Sequence, residues 1–173
     1  MKNIYLVGFM GTGKTTVGKF LAERIKKKFV EMDEEIEKKE GKKIVDIFKE
    51  KGEPYFRKLE KELLKELAKQ SDLVVSCGGG LICDEENLEI LKKSGLVINL
   101  LASPETIYER TRHSLDRPLL NVSKPLDRIK ELLKKRRPFY RQAHYSIKTD
   151  TITADEVVEK IIKILKKYYP DGC

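Results

Sequence analysis

At 173 residues the chain has the length of one domain with a single core and is short for two. Its 40% hydrophobic content includes no apolar run of the roughly 18 residues a bilayer requires, and its start carries no signal-peptide pattern, so the expectation is a cytoplasmic protein with no membrane partner. The net charge of +8 admits anionic ligands or nucleic acid, yet most lysines alternate with glutamates, as in Glu60-Lys61-Glu62 and Lys65-Glu66, which reads as a solvated surface with no nucleic-acid partner.

The first apolar run, residues 4–7, reads as a buried strand, and Val17, Leu21 and Ile25 recur behind it at helical spacing. Between them lies Gly8-Phe9-Met10-Gly11-Thr12-Gly13-Lys14-Thr15, the Walker A pattern in the strand–turn–helix setting that gives it meaning. Glycines let the backbone curl so that N–H groups converge on phosphate oxygens, and the following helix adds its positive end. Lys14 is placed to reach the β- and γ-phosphates, and the Thr15 hydroxyl to ligand Mg²⁺.

A second strand is expected at residues 30–32, and Asp33 follows it. A carboxylate there can accept bonds from substrate hydroxyls and face a bound metal, or simply cap a helix. Gly41, Gly52 and Gly95 stand where helix C-caps are expected. Pro54 suits the first turn of a helix with Phe56, Leu59, Leu63 and Leu67 on one face. That helix also carries Arg57, able to clamp a carboxylate through two parallel bonds or to lie on the surface. The third strand, residues 73–76, runs into Cys77-Gly78-Gly79-Gly80 instead of a Walker B aspartate, with Ser76 at the strand end. Three bare positions at the carboxyl end of a parallel strand let a ligand approach the backbone.

A fourth strand is expected at residues 97–101, followed by the Ser103-Pro104 cap of a helix. Residues 112–124 are polar, contain Arg117 and Pro118, and show no period, which marks either a functional cover or a solvated loop. In Lys134-Lys135-Arg136-Arg137 helical phase can aim one arginine inward. A fifth strand at residues 145–148 and a capping box at Thr153-Ala154-Asp155-Glu156 complete the chain. Strands alternating with helices throughout predict an α/β fold, a parallel sheet covered on both faces. Cys77, Cys83 and Cys173 fit neither a redox pair nor a zinc spacing and read as free thiols. Six Asn and Gln residues beside abundant Lys and Glu resemble a heat-adapted composition.

The order of the P-loop, Asp33, Phe56-Arg57, Cys77-Gly78-Gly79-Gly80, Arg117-Pro118-Leu119-Leu120 and Arg136-Arg137-Pro138-Phe139-Tyr140 resembles the shikimate kinase family over nearly the whole chain. The resemblance implies a three-layer α/β/α P-loop fold like that of nucleoside monophosphate kinases, with a five-stranded parallel sheet in order 2-3-1-4-5. It implies one kinase domain over residues 1–173, with substrate-binding helices at 33–70 and a lid at 112–124. The implied reaction moves the γ-phosphate of ATP to the 3-hydroxyl of shikimate, giving shikimate 3-phosphate in chorismate and aromatic amino-acid biosynthesis, with Mg²⁺ on Thr15. ATP would meet Gly11, Thr12, Gly13, Lys14, Thr15, Thr16, Arg110 and Arg117, and the segment from Thr149 would edge the adenine. Shikimate would meet Asp33, Arg57, Gly78, Gly79, Gly80 and Arg136. Lys14, Asp33 and Arg117 would be the catalytic set, in a monomer. Many members carry Asp-x-Asp after the second strand; here the first of these positions is Glu31, about one methylene longer. Two rivals stand beside this reading: another small-molecule kinase of the same architecture, for gluconate or a nucleotide, and a basic nucleic-acid-binding module.

Overall fold

Five apolar strands form one sheet: β1 (Asn3–Val7), β2 (Lys28–Glu31), β3 (Leu73–Ser76), β4 (Gly95–Leu101) and β5 (Tyr145–Lys148). They lie in the order β2-β3-β1-β4-β5, and every pairing is parallel, as the family resemblance implied. The structure is a computed structural model and describes residues 2–114 and 117–170. The helices are α1 (Lys14–Arg24), α2 (Met32–Glu40), α3 (Ile44–Leu67), α4 (Glu85–Ser94), α5 (Pro104–Thr111), α6 (Pro125–Tyr140) and α7 (Ala154–Tyr168).

Side chains alternate across a strand, so each strand feeds two cores. Ile4, Leu6, Val74, Leu96, Ile98 and Leu100 pack with Val17 and Leu21 of α1 and Ile161 and Leu165 of α7. Tyr5, Val7, Val75 and Val97 face the other way and pack with Leu63 and Leu64 of α3, Leu91 of α4 and Ile129 of α6. Helices therefore cover both faces, which gives the three layers. A buried Asn3 ties the end of α3 to the sheet: its Nδ2 donates to Leu67 O and Gln70 O, and its Oδ1 accepts from Leu73 N.

The caps follow the sequence chemistry. Ser103 Oγ accepts from Thr106 N, and Thr153 and Glu156 form the reciprocal capping box. Gly41 and Gly52 are left-handed, with φ 64° and 79°. Gly95 differs: it follows α4 but is extended, with φ −171°, and opens β4. A side chain there would strike Asn3 O at 2.2 Å, so close strand packing is what excludes one. β2 begins earlier than the hydrophobic run indicated and ends at Glu31, which puts Asp33 in the first turn of α2. Within residues 112–124, Pro118–Leu120 form a 3₁₀ turn whose Leu120 is buried, so part of that aperiodic segment is fastened to the core. Cys173 lies outside the described residues. The carboxyl ends of the strands gather the P-loop after β1, Asp33 after β2 and the triple glycine after β3 on one edge, where ligands bind in open parallel sheets.

Candidate active site

The P-loop leaves β1 and turns into α1 through Gly13, whose φ of 95° a side chain would strain. No side chain caps α1, so its first amides open onto the loop. Lys14 Nζ folds back to donate to Gly8 O at 2.9 Å and Phe9 O at 3.0 Å. Burial pushes this ammonium down to about 8; Glu31 opposes the shift and Arg117 adds to it. Thr15 Oγ1 donates to Glu31 Oε2 at 2.6 Å. Burial raises the Glu31 carboxyl, and the bond from Thr15 partly offsets this. Thr12 stands apart from its neighbours. It is buried; its hydroxyl and its N–H both donate to Phe9 O, at 2.7 and 3.3 Å, and its carbonyl accepts from Thr149, so none of its polar groups is left over for a ligand.

The other half of the site is built on α3 and α6. Arg57 donates from Nη2 to Glu53 Oε1 at 2.9 Å and from Nη1 to Glu60 Oε2 at 2.5 Å. Glu60 is wholly buried, and burial pushes its carboxyl up to about 7 against the pull of Arg57. The triple glycine is shaped around this pair. A Cβ on Gly78 would lie 1.9 Å from Glu60 Oε1, and one on Gly80 would lie 2.6 Å from Arg57 Cζ. On α6, the helical phase that buries Ile129 and Leu132 also buries Arg136 and Tyr140, while Lys134, Lys135 and Arg137 stay exposed. Tyr140 Oη donates to Gly79 O at 2.6 Å. Arg136 Nη1 is buried without a partner, 3.3 Å from where a Cβ of Gly79 would be.

One cleft of about 640 Å³ joins the halves. Gly11, Gly13, Lys14, Thr15, Thr16, Arg110 and Arg117 line one side. Asp33, Arg57, Gly78, Gly79, Gly80 and Arg136 line the other. Asp33 sits where they meet. Its Oδ1 is buried without a partner, and burial raises its carboxyl while Lys14, Arg117 and Arg57 pull it back. Arg117 Nε is likewise buried and unpartnered. An unsatisfied buried polar group is costly in an isolated protein. Here two arginines with a buried unpartnered nitrogen, Arg136 and Arg117, and one carboxylate with a buried unpartnered oxygen, Asp33, line one space.

A family model described as Shikimate kinase matches residues 10–166. The chain belongs to the shikimate kinase family. It is 48% identical over 167 residues to the shikimate kinase of Sulfurihydrogenibium sp., covering 96% of this chain and 99% of that one. It is 50% identical over 162 residues to the shikimate kinase of Persephonella marina, covering 94% and 98%. The solved structure of Acinetobacter baumannii shikimate kinase in complex with shikimate superposes with a TM-score of 0.94 at 42% identity, covering 98% of this chain and 95% of that one.

Against that family frame, one participant escaped the reading of the sequence. Glu60, in a Glu-Lys-Glu run that reads as solvated surface, is buried beneath the triple glycine. The signal was present: Phe56, Glu60, Leu63, Leu64 and Leu67 share one helical stripe. Cys77 also lines the cleft, but burial drives its thiol far above the usual range, which leaves it unreactive. Arg110 is exposed, and its guanidinium is already engaged with Gly11 O and Thr149 O at 3.1 and 2.9 Å.

Proposed function

We propose that this chain is an ATP-dependent shikimate kinase that phosphorylates the 3-hydroxyl of shikimate. The observation that carries the reading is the buried, unpartnered Asp33 Oδ1 between the P-loop lysine and the Arg57–Arg136 side of the same cleft. The P-loop amides, Lys14 and Thr15 hold the triphosphate, with backbone contacts from Gly11, Gly13 and Thr16. Arg57 and Arg136 hold a carboxylate, and the side-chain-free Gly78-Gly79-Gly80 lets a ring lie against the backbone. Both arginines carry groups suited to parallel, charge-assisted bonds.

The oxygen set beside the P-loop suits a hard cation such as Mg²⁺. Thr15 Oγ1 and Glu31 Oε2 lie 2.6 Å apart, and Ser76 Oγ is buried beside them without a hydrogen bond of its own. Held by Thr15, Glu31 and Ser76, the ion would supply positive charge that offsets the charge of the phosphates. Phosphoryl transfer passes through a loose transition state, so the side chains mainly position groups and balance charge. Lys14 neutralises the phosphate charge. Asp33, its basicity raised by burial, accepts a hydrogen bond from the 3-hydroxyl and receives its proton as the new P–O bond forms. Arg117, carried by the 112–124 lid, covers the phosphates and helps exclude water. Dependence on ATP supports a cytoplasmic setting.

The test is an acceptor panel with ATP and Mg²⁺: shikimate, related hydroxylated acids, gluconate and nucleoside monophosphates. ATP consumption should follow shikimate alone. Phosphorylation of an acceptor without a carboxylate, with shikimate untouched, would overturn the assignment.

A further inference from the structure

Thr149 follows β5 and is 3% exposed, and it does not line the cleft. Yet it makes five polar contacts, one of them directly to the P-loop. Its N–H donates to Leu101 O at 2.8 Å. Its hydroxyl lies 3.1 Å from both Leu101 O and Thr12 O, and it accepts from Arg110 Nη1 at 3.2 Å. Its carbonyl accepts from Arg110 Nη2 at 2.9 Å. Arg110 Nη1 in turn reaches Gly11 O at 3.1 Å.

A hydroxyl has one proton to give. Leu101 O already holds the shorter bond from the Thr149 amide, whereas Thr12 O has the Thr149 hydroxyl as its donor. The proton therefore goes to Thr12 O. A trans peptide points its C=O and N–H in opposite directions. Binding Thr12 O from below turns the N–H of Gly13 away from Thr149, toward the side on which Gly13 lines the cleft. Gly13 is also the residue with φ 95° at the head of α1, where left-handed backbone lets a peptide flip at little cost. A phosphate nest works only while its N–H groups all point inward.

We propose that Thr149 is a positioning residue of the phosphate site: its hydroxyl locks the Thr12–Gly13 peptide so that the Gly13 N–H faces the β-phosphate of the nucleotide. Arg110 also donates to the Gly11 carbonyl, so the segment after the fifth strand and the fifth helix together hold the outer face of the loop. The inference rests on the assignment of Gly8–Thr15 as the phosphate site made under the proposed function.

The experiment is calorimetric titration of the full chain with ADP and with AMP, the latter carrying the adenine but no β-phosphate. Wild type is compared with Thr149→Val, which removes only the hydroxyl, with Thr149→Ser, which keeps it, and with Thr149→Ala. Loss of one hydrogen bond predicts that Thr149→Val binds ADP roughly 2- to 10-fold more weakly with AMP affinity unchanged. Turnover should fall, the KM for shikimate should hold, and Thr149→Ser should restore ADP binding. An equal loss for ADP and AMP, no loss for either, or absence of a cooperative unfolding transition in both the Val and Ala variants would make Thr149 a packing residue and overturn the proposal. Wild type binding ADP no better than AMP would instead remove the phosphate site itself.

Discussion

At the scale of single residues, the site is defined by charges that the fold leaves incompletely matched. Arg57 is held by Glu53 and the buried Glu60, and its remaining capacity faces the cleft with Arg136. Removing one partner from a desolvated charge pair costs about 2–5 kcal/mol. Arg57→Ala should therefore raise the KM for shikimate roughly 30- to several-thousand-fold, since about 1.4 kcal/mol is one decade. An unchanged KM would take Arg57 out of the acceptor site. Lys14 supplies a second expectation, one about pH. Burial holds its ammonium down to about 8 in the free protein, while a bound polyphosphate favours the charged form and raises that value. Nucleotide binding thus takes up a proton. Affinity for ADP should be full below about 8 and decline as pH rises through it, by at most about tenfold per unit for one proton. The dissociation constant measured against pH should show this bend in wild type and lose it in Lys14→Met. A profile equally flat in both would show that Lys14 does not meet the phosphates.

At the scale of elements, α3 is two helices joined at Gly52, whose φ of 79° and ψ of 171° belong to backbone that only glycine adopts readily. The bend carries Phe48 back against Phe56, ring centroids 5.0 Å apart, and so fixes the direction in which Arg57 leaves the second half. A Cβ on Gly52 would meet nothing closer than Pro54 Cδ at 3.7 Å, so Gly52→Ala tests backbone strain without a clash. It should destabilise the fold by about 1–3 kcal/mol and raise the KM for shikimate more than that for ATP. A melting temperature equal to wild type would mean that the bend is not strained. The same helix shows what the sequence could and could not say. Gly52 and Pro54 marked the break because both act through local backbone chemistry. The apolar stripe gave the buried face, and the Ser103 cap and the Thr153 capping box gave the starts of α5 and α7. Glu60 lay on that stripe but was read by its charge, since only its pairing with Arg57 under Gly78 makes a buried carboxylate tolerable. Thr149 carried no local signal either. Its partners, Thr12 and Leu101, come from elements far away in sequence, and no short-range rule brings them together.

At the scale of the whole molecule, the excess positive charge is spread over a surface of paired ions such as Lys61 with Asp84 and Glu86, and Arg24 with Asp155 and Glu159. Exposed pairs of this kind add little stability. The folded state rests on the two apolar layers, and the cleft lies across the strand ends above both. The phosphate half hangs on β1 and α1, the acceptor half on α3 and α6. A ligand in either half should therefore stabilise the entire domain by mass action. At a concentration about 100 times its dissociation constant the gain is about 2.7 kcal/mol, which for a chain of this size raises the melting temperature by roughly 5 to 10 °C. ADP and shikimate should each produce such a shift in wild type, and together they should exceed either alone. The halves should also be separable. Arg57→Ala should cut the shikimate shift at the same concentration to about a third or less while keeping that of ADP, and Lys14→Ala should do the reverse. If either substitution removed both shifts while the free protein still unfolded cooperatively, the two ligands would have to share their contacts, and a cleft with a phosphate side and an acid side would not describe this molecule.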